Sequence, residues 1–134
     1  MDLNIHIDPL HAGVQRVALA GRLDTHSYQA LDAQLAPVLA SATTRSLVLD
    51  LAQLHYISSA GVRSILKARK AMATRHGKVL VVNPQPQIQK VLDMVKAVPL
   101  DEIFASTAEA DVYLDTMQRK VLRGASDEDD GDSD

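Results

Sequence analysis

The stretch Ile57-Ser58-Ser59-Ala60-Gly61-Val62-Arg63 is where residue types and spacing concentrate chemistry. Two adjacent hydroxyls are followed by the small Ala60 and Gly61, so one hydroxyl is left uncrowded and open to a kinase. Serine is also a preferred N-cap, since its side-chain oxygen accepts an orphan backbone N–H at the start of a helix. One serine suffices for that, so capping and modification are compatible. Nucleophilic chemistry at Ser59 would call for a Gly-x-Ser-x-Gly elbow, and Ile57 stands where the first glycine belongs. No base is placed by sequence. His6, His11, His26, His55 and His76 are scattered, with neither the HExxH pattern nor a paired ligand spacing. His55 precedes Ser59 by four residues and reads as a surface or half-buried histidine. The chain has no cysteine, which excludes disulfides, thiolate metal sites and a thiol nucleophile. No catalytic residue, metal or other cofactor is therefore expected.

The elements that must position these serines follow from hydrophobic period. Alternation over Leu3 to Ile7, a turn at Asp8-Pro9 and Gly13, and a second run from Val14 to Ala20 predict a β-hairpin, with Gly21 breaking its second strand. Beyond Asp24 and Thr25, both good N-cap types, Tyr28, Leu31, Leu35, Val38 and Leu39 recur at helical spacing to about Ala40. Pro37 lacks a backbone donor, so the last turn is expected to be irregular. Ser46 to Leu51 and Val79 to Val82 are short and almost wholly apolar, as in strands covered on both faces. Between them a short connection leads into a helix with Val62, Ile65, Leu66 and Met72 on one face. It ends at His76-Gly77, where glycine suits a left-handed C′ position. A third helix follows Asn83-Pro84-Gln85-Pro86 and carries Ile88, Val91, Leu92 and Val95, with Pro99 beyond its end. A short strand near Ile103-Phe104 precedes a last helix, which opens on a capping box of Ser106 and Glu109 and carries Ala110, Tyr113, Leu114, Met117 and Val121. The fold class is α/β, a single domain with a mixed sheet of about four to five strands and about four helices in the order ββαβαβα(βα).

The 134 residues are enough for one domain with one core, here aliphatic, because there are one Phe, three Tyr and no Trp. The formal charge of -3 is unevenly spread: Gly124 to Asp134 holds five Asp, one Glu and no basic residue, and setting those six aside leaves 14 basic against 11 acidic groups. Residues 1–122 are expected to form the domain and 123–134 a disordered acidic tail. The tail favours solubility. It could also screen in cis the stretch from Leu51 to Lys78, which contains Arg63, Lys67, Arg69, Lys70, Arg75 and Lys78 and no acid at all. Without interleaved aromatics this basic stretch does not read as a nucleic-acid site. With no apolar run near 18 residues and no signal peptide, the expected location is cytoplasmic, with no membrane partner.

The segment Ile57 to Arg63 resembles the phosphorylation segment of STAS domains of anti-sigma-factor antagonists in its Ser-Ser-Ala-Gly-Leu-Arg variant, with Val62 for Leu. The resemblance extends upstream through Ala20-Gly21-Arg22-Leu23-Asp24 and downstream through Gly77 to Asn83 and Val91-Leu92-Asp93-Met94. It implies a STAS-type domain in a partner-switching circuit. Unphosphorylated, such a domain binds an ATP-binding anti-sigma-factor serine kinase and so releases a sigma factor; phosphorylated, it lets go, and a serine phosphatase resets it. Ser59 matches the phosphoacceptor and Gly61 the following glycine. Ser58 stands where many members carry an acid, which makes it the alternative acceptor. The contact surface implied comprises Asp24, Thr25, Ser58, Ser59, Ala60, Gly61, Val62 and Arg63. The competing expectation is a structural STAS component of a sensory complex with no phospho-switch.

Overall fold

The computed structural model describes residues 2–96, 98 and 102–126. Chain order is β1 (Leu3–Ile7), β2 (Val14–Leu23), α1 (Tyr28–Ala40), β3 (Ser46–Ile57), α2 (Ser59–Ala73), β4 (Lys78–Val82), α3 (Pro86–Met94), β5 (Ile103–Phe104) and α4 (Thr107–Ser126). The strands form a five-stranded sheet in the order β1-β2-β3-β4-β5. Only the β1–β2 hairpin is antiparallel; β2, β3, β4 and β5 pair in parallel. Each parallel pair requires a crossover, which α1, α2 and α3 supply. α4 extends through 123–126, and the rest of the expected acidic tail lies outside the described residues, as does Pro99.

Two cores sandwich the sheet. One face packs Val17, Leu19, Leu47, Leu49, Val79 and Val81 against Leu31 and Leu35 of α1, Ile65 and Met72 of α2, and Ile88 and Leu92 of α3. On the other face Val48, Leu80 and Val82 meet Ala110 and Leu114 of α4, with Phe104 and Tyr113 alongside at 5.2 Å between ring centroids. β3 and β4 are thus covered on both sides, the reason their sequence is a near-continuous apolar run. α4 opens on the expected Ser106–Glu109 pair: Ser106 Oγ accepts the Glu109 N–H at 3.2 Å, as in a capping box, while the Glu109 carboxylate accepts the N–H of Ala105, one residue before the cap, at 3.2 Å.

Several expectations are corrected. β2 does not stop at Gly21 but runs to Leu23. Gly21 has φ of 106° and lies so close to β1 that a Cβ there would sit 2.1 Å from the Asp2 carbonyl oxygen, so glycine lets the strand continue beside its neighbour. β3 does not stop near Leu51 but runs to Ile57, because it bulges twice. Twelve residues of β3 oppose ten of β2, with register shifts between Ala18 and Ala20 and between Gly21 and Arg22. Each extra residue turns the side-chain phase over, so Leu47, Leu49 and Leu51 are followed inward by Leu54 and Ile57, three apart instead of two. Simple alternation cannot show such a strand.

At the end of α2 the left-handed residue is His76, with φ of 60°, and not Gly77. The Gly77 N–H reaches the Met72 carbonyl at 2.7 Å and the His76 N–H that of Ala73 at 3.0 Å, a Schellman pattern. Gly77 is needed for space instead: a Cβ would lie 2.7 Å from Met72 Cε and 2.9 Å from the Arg45 carbonyl oxygen. Leu66 is exposed and Ala68 takes the core position on α2. Val95 falls just beyond α3 and is likewise exposed. Pro37 lies within α1, which continues through it to Ala40.

Candidate functional site

Leu23 and Ile57 are register partners at the ends of β2 and β3, so the loop entering α1 and the connection entering α2 emerge side by side. The Ser58 N–H donates to the Leu23 carbonyl at 2.9 Å, and the Ser58 carbonyl accepts the Val62 N–H at 2.9 Å, which opens α2. One residue therefore ends the strand, ties it to β2 and starts the helix. Gly61 lies in the first turn against that junction: a Cβ there would be 2.7 Å from Leu23 Cγ, 2.8 Å from the Leu23 carbonyl oxygen and 2.9 Å from Ile57 Cγ1. Any other residue would push α2 away from β2.

The two serines part company. Ser58 is the N-cap residue by backbone, with φ of -100° and ψ of 177°, yet its side chain makes no cap hydrogen bond, and its Oγ is buried with no partner. The capping role anticipated for a serine hydroxyl is not carried out. Ser59 is the first helical residue and is exposed. The first turn of α2 holds no acidic side chain, so the positive end of its dipole is uncompensated within the helix.

Of the residues anticipated at a contact surface, Thr25, Ser59 and Arg63 are exposed, and Asp24 and Ser58 are half-buried beside them. Ala60, Gly61 and Val62 are buried. They cannot offer side chains to a partner, because the first turn of α2 is pressed onto Leu23 and Ile57 and Val62 belongs to the core. Their place is underneath the surface, fixing its shape.

Asp24 was anticipated as an N-cap or as a neighbour of the serine segment. The N-cap of α1 is Ser27, and Asp24 lies a turn earlier. Its Oδ1 accepts the His26 N–H at 2.9 Å and the Ser27 hydroxyl at 3.2 Å, while Arg22 Nε approaches Oδ2 at 3.4 Å. The backbone bond from His26 is the main influence holding this carboxyl below the usual aspartate range; partial burial opposes it, and Ser27, Arg22 and His26 add to it. A fixed negative charge is therefore held one residue past the Leu23 carbonyl that Ser58 binds.

Two residues beyond the anticipated set join this end of the sheet. Arg22 and Tyr56 are register partners, and the Arg22 guanidinium lies 4.1 Å from the centroid of the Tyr56 ring. Tyr56 is 41% exposed, and Arg22 bridges it to Asp24. Nothing in the linear order pairs residues 34 apart; the only sequence signal is a tyrosine in an otherwise aromatic-poor chain. His55, by contrast, is engaged by the residues that open α3. Its Nδ1 is 3.4 Å from Gln85 Nε2, and its carbonyl accepts from Gln87 Nε2 at 3.4 Å. No helix among the described residues is long and apolar enough to cross a membrane.

A sequence model described as the STAS domain matches residues 9–110. An anti-sigma F factor antagonist of Paenibacillus polymyxa is 26% identical over 117 residues, covering 87% of this chain and 99% of the relative. One of the same name from Lysinibacillus sphaericus is 25% identical over 75 residues, 56% of this chain and 64% of that relative. The fold matches the anti-sigma factor antagonist SpoIIAA in its unphosphorylated form with a TM-score of 0.74 at 18% identity, over 84% of this chain and 97% of that one. It matches the phosphorylated form of Bacillus SpoIIAA with a TM-score of 0.68 at 19% identity, over 83% and 99%. With three quarters of its length matched by the domain model and its strand and helix order that of the fold, the chain belongs to the STAS-domain family.

Proposed function

We propose that this protein is an anti-sigma-factor antagonist, a binding module and not an enzyme, whose switch is phosphorylation of Ser59. Unphosphorylated, it binds an ATP-binding anti-sigma-factor serine kinase through the surface formed by Asp24, Thr25, Ser59 and Arg63, and so frees a sigma factor. Phosphorylated on Ser59, it dissociates, and a serine phosphatase returns it to the binding form. The observation that carries this reading is the contrast between the serines: Ser59 is exposed on a first turn held rigid from below by Gly61, while the Ser58 hydroxyl is buried. A kinase can reach only the former. The relative matched over almost its whole length is named for the same role.

A phosphate at Ser59 carries about -1.5 to -2 charges at neutral pH. Placed on the N-terminal turn of α2, it meets unpaired N–H groups and the positive end of the dipole, so the domain itself tolerates it. The partner does not, because the added charge beside ionised Asp24 must be desolvated in a tight interface. The switch acts on the interface and leaves folding alone.

The test is incubation of the full chain with ATP and an anti-sigma-factor kinase, mapping of phosphate by mass spectrometry, and binding measurements on wild type, Ser59→Ala and Ser59→Asp. Phosphate on Ser59, binding by wild type and Ser59→Ala, and loss of binding by Ser59→Asp are expected. Absence of phosphate from Ser59, together with normal binding by Ser59→Asp, would leave a structural STAS component without a switch as the better account.

A further inference from the structure

α4 runs against the strands. Its first residue, Thr107, follows β5 and accepts a hydrogen bond from Arg16 at 3.3 Å; Asp111 pairs with the same arginine at 3.6 Å. One turn later Leu114 and Asp115 line a cleft with Asp8, Pro9 and His11, at the β1–β2 turn where the parallel strands begin. The helix then continues from Asp115 to Ser126, which at 1.5 Å per residue carries its end about 16 Å past the sheet. Immediately after it come Asp127, Glu128, Asp129, Asp130, Asp132 and Asp134.

The same end of the sheet is basic. Arg45 packs its side chain on Gly13, its N–H binds the Gly13 carbonyl at 2.7 Å, and its own carbonyl accepts the Lys78 N–H at 3.2 Å. Arg75 closes over the preceding loop through the Ser41 and Thr44 carbonyls. Lys70 stands in the last turn of α2. Lys78 pairs with Glu102 at 3.6 Å, but among the described residues neither Arg45 nor Lys70 has an ion-pair partner, and both are exposed. Positive charge thus collects at the pole toward which α4 delivers six acids.

We propose that the acidic segment 127–134 docks in cis on this pole, over Arg45, Lys70 and Arg75, and not on the half of α2 next to Ser59. Reach decides between the two. Eight residues span at most about 28 Å when fully extended. The ten residues of β2 put Ser59 roughly 33 Å from the strand starts, and the overhang of α4 adds to that distance. Further along α2, Lys67 is already paired with Asp32 at 3.5 Å. Single exposed ion pairs are weak, but a tether holds the segment at an effective concentration near the millimolar range, which makes several weak contacts count together. The docked segment neutralises the pole and leaves the Ser59 surface uncovered.

Because the chain has no cysteine, Ser133→Cys provides a single attachment point for a nitroxide spin label on the full-length protein. Paramagnetic broadening of backbone amides is then read by NMR. Loss of the Arg45, His76, Gly77 and Lys78 signals is expected, with those of Ser59 to Arg63 retained. The loss should vanish in about 1 M salt, where the screening length falls to about 3 Å, and in Arg45→Glu/Lys70→Glu, whose altered side chains are both exposed. Signals unaffected throughout, broadening centred on Ser59 to Arg63, or broadening that survives both salt and charge reversal would each overturn the proposal. Mixing isotope-labelled protein lacking the spin label with unlabelled protein carrying it tests the remaining point: pole broadening in that mixture equal to that within one chain would show a contact between copies and overturn docking in cis.

Discussion

The backbone N–H of Ser58 donates to the carbonyl of Leu23 at 2.9 Å, and this one bond joins the end of β3 to the end of β2 where the candidate switch begins. Leu23 also forms most of the wall against Gly61. The geometry of the Ser59 surface is therefore set by its contact with β2 as much as by α2 itself.

Gly61→Ala tests that contact. In an open helix the exchange would stabilise by about 1 kcal/mol. Here the new methyl meets a backbone oxygen at 2.8 Å that cannot move without disturbing β2, and overpacking of this kind costs about 1–3 kcal/mol. A net loss of order 1 kcal/mol is expected in urea unfolding, together with weaker partner binding. Stability equal to or above wild type would show that the helix is not held against Leu23.

The serines should respond in opposite ways to removal of their hydroxyls. An N-cap Ser→Ala exchange ordinarily costs about 0.5–2 kcal/mol. Ser58 makes no cap bond and buries its Oγ without a partner, so Ser58→Ala is expected to be neutral or slightly stabilising and to keep phosphorylation at Ser59. Ser59→Ala should abolish phosphorylation with little change in stability. Thermal unfolding and phosphate mapping check both; a marked loss of stability in Ser58→Ala would mean that the hydroxyl does cap α2.

Ser59→Asp, and the phosphorylated protein, should melt within a few degrees of wild type. A negative charge in the first turn interacts favourably with the helix dipole, by about 0.3–1 kcal/mol. Circular dichroism melts check this, and a largely unfolded variant would show that the switch works through folding.

Asp24 should contribute to the acid side of the stability profile. Its folded pKa lies below the usual aspartate value of 3.8, chiefly through the His26 N–H. A depressed carboxyl stabilises the folded state above the unfolded-state value, and the contribution disappears as pH falls through the folded value. Asp24→Asn should therefore flatten the decline in unfolding free energy below about pH 4 and leave the neutral-pH structure in place. Chemical unfolding over that range makes the comparison; an unchanged slope would mean that the carboxyl is not held by these bonds.

The Arg22–Tyr56 stack should show as coupling. A double-mutant cycle with Arg22→Ala and Tyr56→Ala is expected to give about 0.5–1 kcal/mol for an exposed cation–π pair. Applied to partner binding, the same variants reveal whether the Ser59 surface extends onto the sheet, since Tyr and Arg are the residue types enriched at binding hot spots. Binding unaffected by either change would confine the interface to the two connections.

Sequence determined much of this protein because its strongest signals are local. The apolar runs at Ser46 to Leu51 and Val79 to Val82, the helical spacing of Leu31, Leu35 and Val38, and the Ser106–Glu109 box each report on residues a few positions apart, and a strand or helix of the expected type lies at each, though β3 runs on past Leu51. The Ser58-Ser59-Ala60-Gly61 segment is likewise legible as the start of a helix. Tertiary structure decided what depends on partners far along the chain. The two bulges of β3 reverse its side-chain phase, and only pairing with β2 reveals that the strand runs on to Ile57. Burial of Val62 and of the Ser58 hydroxyl, exposure of Ser59, and the stacking of Arg22 on Tyr56 follow from that register. Gly21 and Gly61 show the same division: sequence marks both as special, but only the neighbouring backbone, Asp2 for one and Leu23 for the other, shows that each serves close approach and neither ends its element.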